Sequence, residues 1–284
     1  MPRSRTAVAL VVLLAAGWCA GCSGRHTPAP RPSAAGLTAS VAQFRNDEGT
    51  RRLKAGVTNS GDGDIRVTRA TIAWGGLAFP TVPLPDDPVH PGQTAAFPIE
   101  YGAPRCTDPA PGRPVLVALI DGRTRRLPLH VDEPGLLDRL RAKACAAERL
   151  DAVATVRLVL STRTERVDGV EQLPGALVLR RRPGATGRVR VVDLSGSVLL
   201  ALVPRGGRAA LPGTLAADQD VLRFPVLMGS THRCDAHALG QSSQTFLISA
   251  YVRLEDEPTQ RVVLPLTTAE RDRLTGVIHR VCRT

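Results

Sequence analysis

Apolar and polar residues alternate with a period of two over Leu53–Val57, and the alternation resumes at Ile65, Val67 and Ala70–Ala73 after the turn-forming run Asn59-Ser60-Gly61-Asp62-Gly63. That period is the signature of a strand with one buried face, and two such stretches around a polar, glycine-rich turn predict a hairpin. A second hairpin is predicted from Val115–Ile120 and Arg125–Leu129, because Asp121-Gly122 fits the two-residue type I′ turn that matches the twist of paired strands. Further along, Phe246–Leu254 and Arg261–Leu266 read as strands joined by Glu255-Asp256-Glu257-Pro258. Strand patterns also cover Ala176–Leu179, Val189 and Val191, and Val198–Val203, with a turn at Pro183-Gly184-Ala185. A helical period occurs in two places only. Leu136, Leu137, Leu140 and Ala144 share one face, and so do Leu274, Val277, Ile278 and Val281. For the latter, Thr267 or Thr268 followed by Glu270 and Asp272 supplies a helix start.

Both helical stretches follow the tripeptide Leu-Pro-Leu, and this is one of four landmarks that occur twice. From Leu129 to Cys145 and from Leu266 to Cys282 the spacing is sixteen residues in each case. Upstream, Phe97-Pro98-Ile99 leads to Arg105-Cys106, and Phe224-Pro225-Val226 leads to Arg233-Cys234 with one extra residue. Matching order and spacing indicate a tandem duplication, with copies at residues 38–147 and 148–284 and residues 148–152 joining them. Of the six cysteines, the four that lie in the two copies allow three pairings. The duplication selects one bridge per copy, Cys106 with Cys145 and Cys234 with Cys282, each stapling the closing helix to the strand region.

The N-terminus differs in character from everything after it. Arg3 and Arg5 precede an apolar run from Ala7 to Ala16, too short to span a bilayer, and small residues follow. Ala20-Gly21-Cys22 resembles the end of a bacterial lipoprotein signal, with Cys19 where leucine is usual. The resemblance implies that residues 1–21 are a signal peptide, that Cys22 receives diacylglycerol and becomes the first residue of the mature chain, and that the protein is held on the extracytoplasmic face of the cell membrane. A signal that is cleaved without lipidation is the alternative. Residues 22–37 are rich in Pro, Ala and Ser and read as a tether. The even cysteine number beyond the signal fits an oxidising compartment.

Val57-Thr58-Asn59-Ser60-Gly61, with Pro91-Gly92-Gln93 and the Phe97 strand, resembles the turn landmarks of immunoglobulin-like modules in exported bacterial proteins. The expected fold is therefore mainly β: two tandem immunoglobulin-like β-sandwich domains, each ending in a short α-helix. Composition narrows the function. Aromatic residues are 3% of the 284, so stacking platforms for bases or sugars are scarce. The net charge of +11 is spread along the chain among interleaved acids rather than gathered into one stripe, and no nucleic-acid partner is expected. The densest basic run is Arg180-Arg181-Arg182, with Arg188 and Arg190 nearby; it is either a solvated loop or a contact for anionic lipid or wall polymer.

The chain lacks a nucleophile elbow, a phosphate-cradling loop, a His-Glu-x-x-His and a dinucleotide fingerprint, and Asp193-Leu194-Ser195-Gly196-Ser197 reads as a strand turn. The paired carboxylates Asp86-Asp87, Asp132-Glu133 and Glu255–Glu257 sit beside prolines in predicted loops, where acid–base tuning by burial is not expected. The one crowded group of ligating types is His232-Arg233-Cys234-Asp235-Ala236-His237. Cys234 cannot ligate while it is in a disulfide, so neither catalytic nor metal-ligating residues are assigned and no cofactor is expected. Trp74 is read as core. The function expected from these features is a non-catalytic binding or scaffolding module of the bacterial cell envelope, whose partners are envelope proteins or an anionic wall polymer. Two alternatives stand beside it: a metal-binding protein or metal-dependent hydrolase using residues 232–237, and a solute-binding lipoprotein.

Overall fold

In the computed structural model, residues 36–107, 112–241 and 244–283 are described, so Cys22, the signal stretch and nearly all of the tether lie outside the described residues. In chain order the first half supplies β1 (Leu37–Ala42), β2 (Arg52–Asn59), β3 (Ile65–Ala73), β4 (Val82–Pro83), β5 (Pro88–Val89), β6 (Thr94–Glu100), β7 (Val115–Ile120), β8 (Arg123–Val131) and helix α1 (Leu136–Val153). The second half supplies β9 (Ala154–Leu160), β10 (Glu165–Val167), β11 (Val170–Arg181), β12 (Val189–Ser195), β13 (Leu200–Pro204), β14 (Gly213–Leu215), β15 (Val221–Ser230), α2 (Ala236–Gln241), β16 (Ser249–Leu254), β17 (Gln260–Val263) and α3 (Thr268–Cys282).

The two halves repeat one pairing scheme. In the first, β1, β2 and β6 form antiparallel neighbours, as do β3, β7 and β8. In the second, β9, β11 and β15 correspond to the first group, and β12, β16 and β17 to the second. With β13 added beside β15, and the three-residue strands β10 and β14 beside β11 and β12, the second half comprises a five-stranded and a four-stranded sheet whose seven longer strands follow the order of a constant-type immunoglobulin sandwich. The first half departs from it in two ways. Its short β4 and β5 attach to β3 instead, and β8 runs parallel to β1 from Leu129 to Val131, which links both layers into one hydrogen-bonded path.

Alternation determines what each layer buries. Leu53, Ala55 and Val57 of β2, Phe97 and Ile99 of β6, Leu116, Ala118 and Ile120 of β7 and Leu127 and Leu129 of β8 meet in one core. Leu173, Leu177 and Leu179 of β11, Val189 and Val191 of β12, and Phe224, Val226 and Met228 of β15 meet in another. A fully buried leucine or valine contributes about 1.5–3 kcal/mol, so these alternating rows, rather than the turns, carry most of the stabilisation.

The Asp121-Gly122 turn is as expected: both residues have positive φ (49° and 72°) and Ile120 pairs with Arg123. The hairpin expected from β2 and β3 does not form. β2 pairs with β1 and β6, and β3 with β7, so the turn carries the chain from one layer to the other. Alternation reports which face of a strand is buried, not which strand lies beside it. Asn59 holds this crossing. Its buried carboxamide donates to the carbonyls of Gly63 (2.7 Å) and Val89 (2.9 Å) and accepts from the Gly61 N–H (3.0 Å). Its backbone exchanges hydrogen bonds with Gln93 (2.9 Å) and Gly92 (2.7 Å), joining two landmarks that are separate in the sequence.

Helix α1 is also longer than its apolar face suggests. It runs for 18 residues through positions 148–152, where a joining segment was expected, and meets β9 without an intervening residue. Leu136, Leu137, Leu140 and Ala144 close the first core, whereas Leu150 lies in the second. Cys145 therefore lies in the middle of the helix. Leu37, placed in the tether by composition, is buried and opens β1. In α3 the expected start is realised, with Thr267 and Glu270 forming a reciprocal capping box worth about 1 kcal/mol, and Cys282 ends the helix. Both expected disulfides are present, Cys106–Cys145 with Cα atoms 5.6 Å apart and Cys234–Cys282 with 5.3 Å. A forked ion pair between Arg149 of α1 and Glu257 of the β16–β17 loop, at 2.8 and 2.9 Å, ties the halves together.

Candidate functional site: a basic sheet face

The outer face of the β9–β11–β15 layer follows from the same alternation. With Leu158 and Leu160, Leu177 and Leu179, and Phe224 and Val226 turned inward, Arg157 and Val159 of β9, Val178 and Arg180 of β11, and Arg223 of β15 project outward. Register brings them together, because Val178 pairs with Arg157 on one side and Arg223 on the other, and Arg180 pairs with Thr155. The result is a furrow of about 460 Å³ along β11, with Val178 and Val159 in it, Arg157 and Arg223 on opposite flanks, and Arg180 and Arg182 at one end. Val159 is 51% exposed. Among the described residues, Arg157, Arg180 and Arg223 have neither a carboxylate partner nor a carbonyl to donate to. Arg182 donates to the Asp151 carbonyl at 3.0 Å.

The arginine run singled out in the sequence is divided by the fold. Arg181 turns away from Arg180 and donates to the carbonyls of Ala216 (2.6 Å), Gly187 (2.8 Å) and Gln219 (2.8 Å), pinning two loops. Arg188 lies 3.6 Å from Glu255, and Arg190 3.4 Å from Asp256. Only Arg180 and Arg182 reach the furrow, where they join two arginines from other strands that no linear run reveals. Alternation in β9 and β15 could have placed Arg157 and Arg223 on an outer face, but not beside Arg180.

The residues 232–237 are arranged around structural tasks. Cys234 is bonded to Cys282. Asp235 accepts the Ala238 N–H at 2.8 Å, and this bond, with Arg233 at 3.4 Å, holds its carboxyl below the usual carboxylate range. His232 and His237 are exposed, and among the described residues no three ligating side chains converge on one point. The loop carboxylates are taken up by arginines: Asp86 by Arg66 (3.6 Å), Glu133 by Arg139 (2.6 Å) and Glu257 by Arg149 (2.8 Å). Arg280 hydrogen-bonds Glu171 through both carboxylate oxygens at 2.9 Å, lowering the Glu171 pKa and fastening α3 to β11. Trp74 packs on the first core, as expected, with Gly76 against its ring.

No protein-family model matches the chain, and no curated protein matches it. Among solved structures, it is similar to the CsuC–CsuE chaperone–tip adhesion subunit pre-assembly complex of archaic chaperone-usher Csu pili of Acinetobacter baumannii. The identity there is 13%, the match covers 76% of this chain and 92% of the other, and the TM-score is 0.18. It is also similar to the YadV chaperone at 9% identity, covering 81% of this chain and 100% of the other, with a TM-score of 0.16. Superpositions this loose have no bearing on what the chain binds.

Proposed function

We propose that this chain is a membrane-anchored extracytoplasmic lipoprotein that acts as a non-catalytic binding or scaffolding module of the bacterial cell envelope. The observation that carries the reading is the pair of disulfides. All four cysteines beyond the signal region are bonded, one bridge in each half, which supports folding in an oxidising compartment. The basic N-terminus, the short apolar run and Ala20-Gly21-Cys22 supply the route there and the means of retention. An exposed basic face on which Arg157, Arg180 and Arg223 lack carboxylate partners suits binding by surface complementarity. The carboxylates and imidazoles considered for chemistry serve as caps, ion pairs or exposed loop residues.

The test is the intact mass of the mature protein together with its fractionation. The expected result is a chain beginning at Cys22 that carries diacylglycerol and sediments with membranes, and a Cys22→Ser variant that loses both properties. An unacylated mature start, or a Cys22→Ser variant that stays on the membrane, would overturn the anchoring.

A further inference from the structure

We infer that the furrow along β11 binds a single extended chain of a phosphodiester-linked polyanion, a polymer of the envelope rather than the membrane surface. The inference rests on the envelope reading above and names the partner of its basic face.

Charge comes first. Arg157, Arg180 and Arg223 stand free of carboxylates on a face that has no acidic residue in its furrow, whereas Arg52, Arg66, Arg139, Arg149 and Arg190 of this chain all have an acidic partner. Three desolvation-tolerant guanidiniums left unneutralised on one face complement a ligand with repeated negative charge, and their fork geometry matches phosphate oxygens.

Shape selects the form of the polyanion. Arg157 and Arg223 flank Val178 in register, so their backbones are two strand spacings apart, roughly 10 Å, a gap that admits a single chain between the two guanidiniums. The surface there is concave, about 460 Å³, with Val178 between the two arginines and Val159 two residues beyond Arg157 on β9, both able to pack on the carbon atoms between successive phosphates. Headgroups in a planar bilayer would reach only the rims of such a furrow and leave its valines uncovered. The furrow also has no aromatic ring, which a sugar-stacking site or an interfacial membrane anchor would normally use.

The experiment is fluorescence anisotropy of an end-labelled poly(glycerol phosphate) titrated with the purified chain carrying Cys22→Ser, so that acylation plays no part. Neutralising three phosphates of a single strand gives a log–log salt slope of about −2, hence roughly a 20-fold weaker affinity on going from about 50 to about 200 mM salt. The triple variant Arg157→Gln/Arg180→Gln/Arg223→Gln is expected to lose at least tenfold in affinity and most of that slope, while the corresponding lysine variant keeps the slope. Val178→Glu, a single change in the furrow, is expected to do the same damage as the glutamine triple. Arg123→Gln/Arg125→Gln/Arg126→Gln, which removes equal charge from exposed positions in the other half, is expected to bind like the parent. The proposal is overturned if the parent does not bind the polymer or if the hairpin triple loses as much as the furrow triple. It is also overturned if vesicles of phosphatidylcholine with about one-third phosphatidylglycerol bind more tightly than the polymer through the same arginines. Polymer binding by a protein whose native N-terminus proves unacylated would refute the anchor alone and leave the furrow standing.

Discussion

Helix α1 offers a sharp test of how the two halves are built, because one apolar face is shared between two cores. Leu140 (4% exposed) belongs to the first core and Leu150 (2%) to the second, ten residues further along the same helix. Truncation of either to alanine removes buried carbons and leaves a cavity that a helix held at both ends cannot collapse. About 3 kcal/mol is expected for each, within the 2–5 kcal/mol typical of such changes. At 1.4 kcal/mol per factor of ten, that raises local opening about 150-fold. Native-state hydrogen exchange read peptide by peptide separates the sites. Leu140→Ala should accelerate exchange in β2, β6 and β7, and Leu150→Ala in β11, β12 and β15. If Leu150→Ala loosened the first half and left β11 protected, α1 would belong wholly to the first core and the account of a shared helix would be wrong.

Other consequences follow from single groups. Replacing Cys106 and Cys145 together by alanine, or Cys234 and Cys282 together, opens loops with sequence separations of 39 and 48. Each should cost about 4 kcal/mol in the chain-entropy picture, read as a lower melting temperature that reductant no longer shifts for the bridge removed. Asn59→Ala strands the carbonyls of Gly63 and Val89 and the Gly61 N–H at the layer crossing. Urea denaturation should register a loss of about 3 kcal/mol, and a loss below about 0.5 kcal/mol would show that water replaces the carboxamide. Arg280 lowers the Glu171 pKa in the folded state, so the pair's contribution is present above the ordinary glutamate value near 4.3 and is lost as pH falls through the folded value. Arg280→Gln should therefore melt below the parent at pH 6 by an amount that vanishes at about pH 2; a difference that persisted in acid would mean lost packing rather than lost charge.

Much of this architecture can be read from residue order. Strand positions follow from alternation, the type I′ turn from Asp121-Gly122, the start of α3 from Thr267 and Glu270, and the disulfide pairing from a repeated spacing. All are local or periodic properties, written in neighbouring residues or in two copies of one pattern. What lay beyond the sequence is pairing. Alternation left β2 and β3 looking like a hairpin although the chain crosses between layers there. Apolar spacing ended α1 near Ala144 because Leu150 answers to a core supplied by residues far downstream. The basic face shows the division most clearly: the linear run Arg180-Arg181-Arg182 contributes two of its members, while Arg157 and Arg223 arrive from other strands. A strand's own residues determine which side chains point outward, but the register of three strands decides which of them become neighbours. Register is set by the packing of the buried rows as a whole, and no short segment contains it.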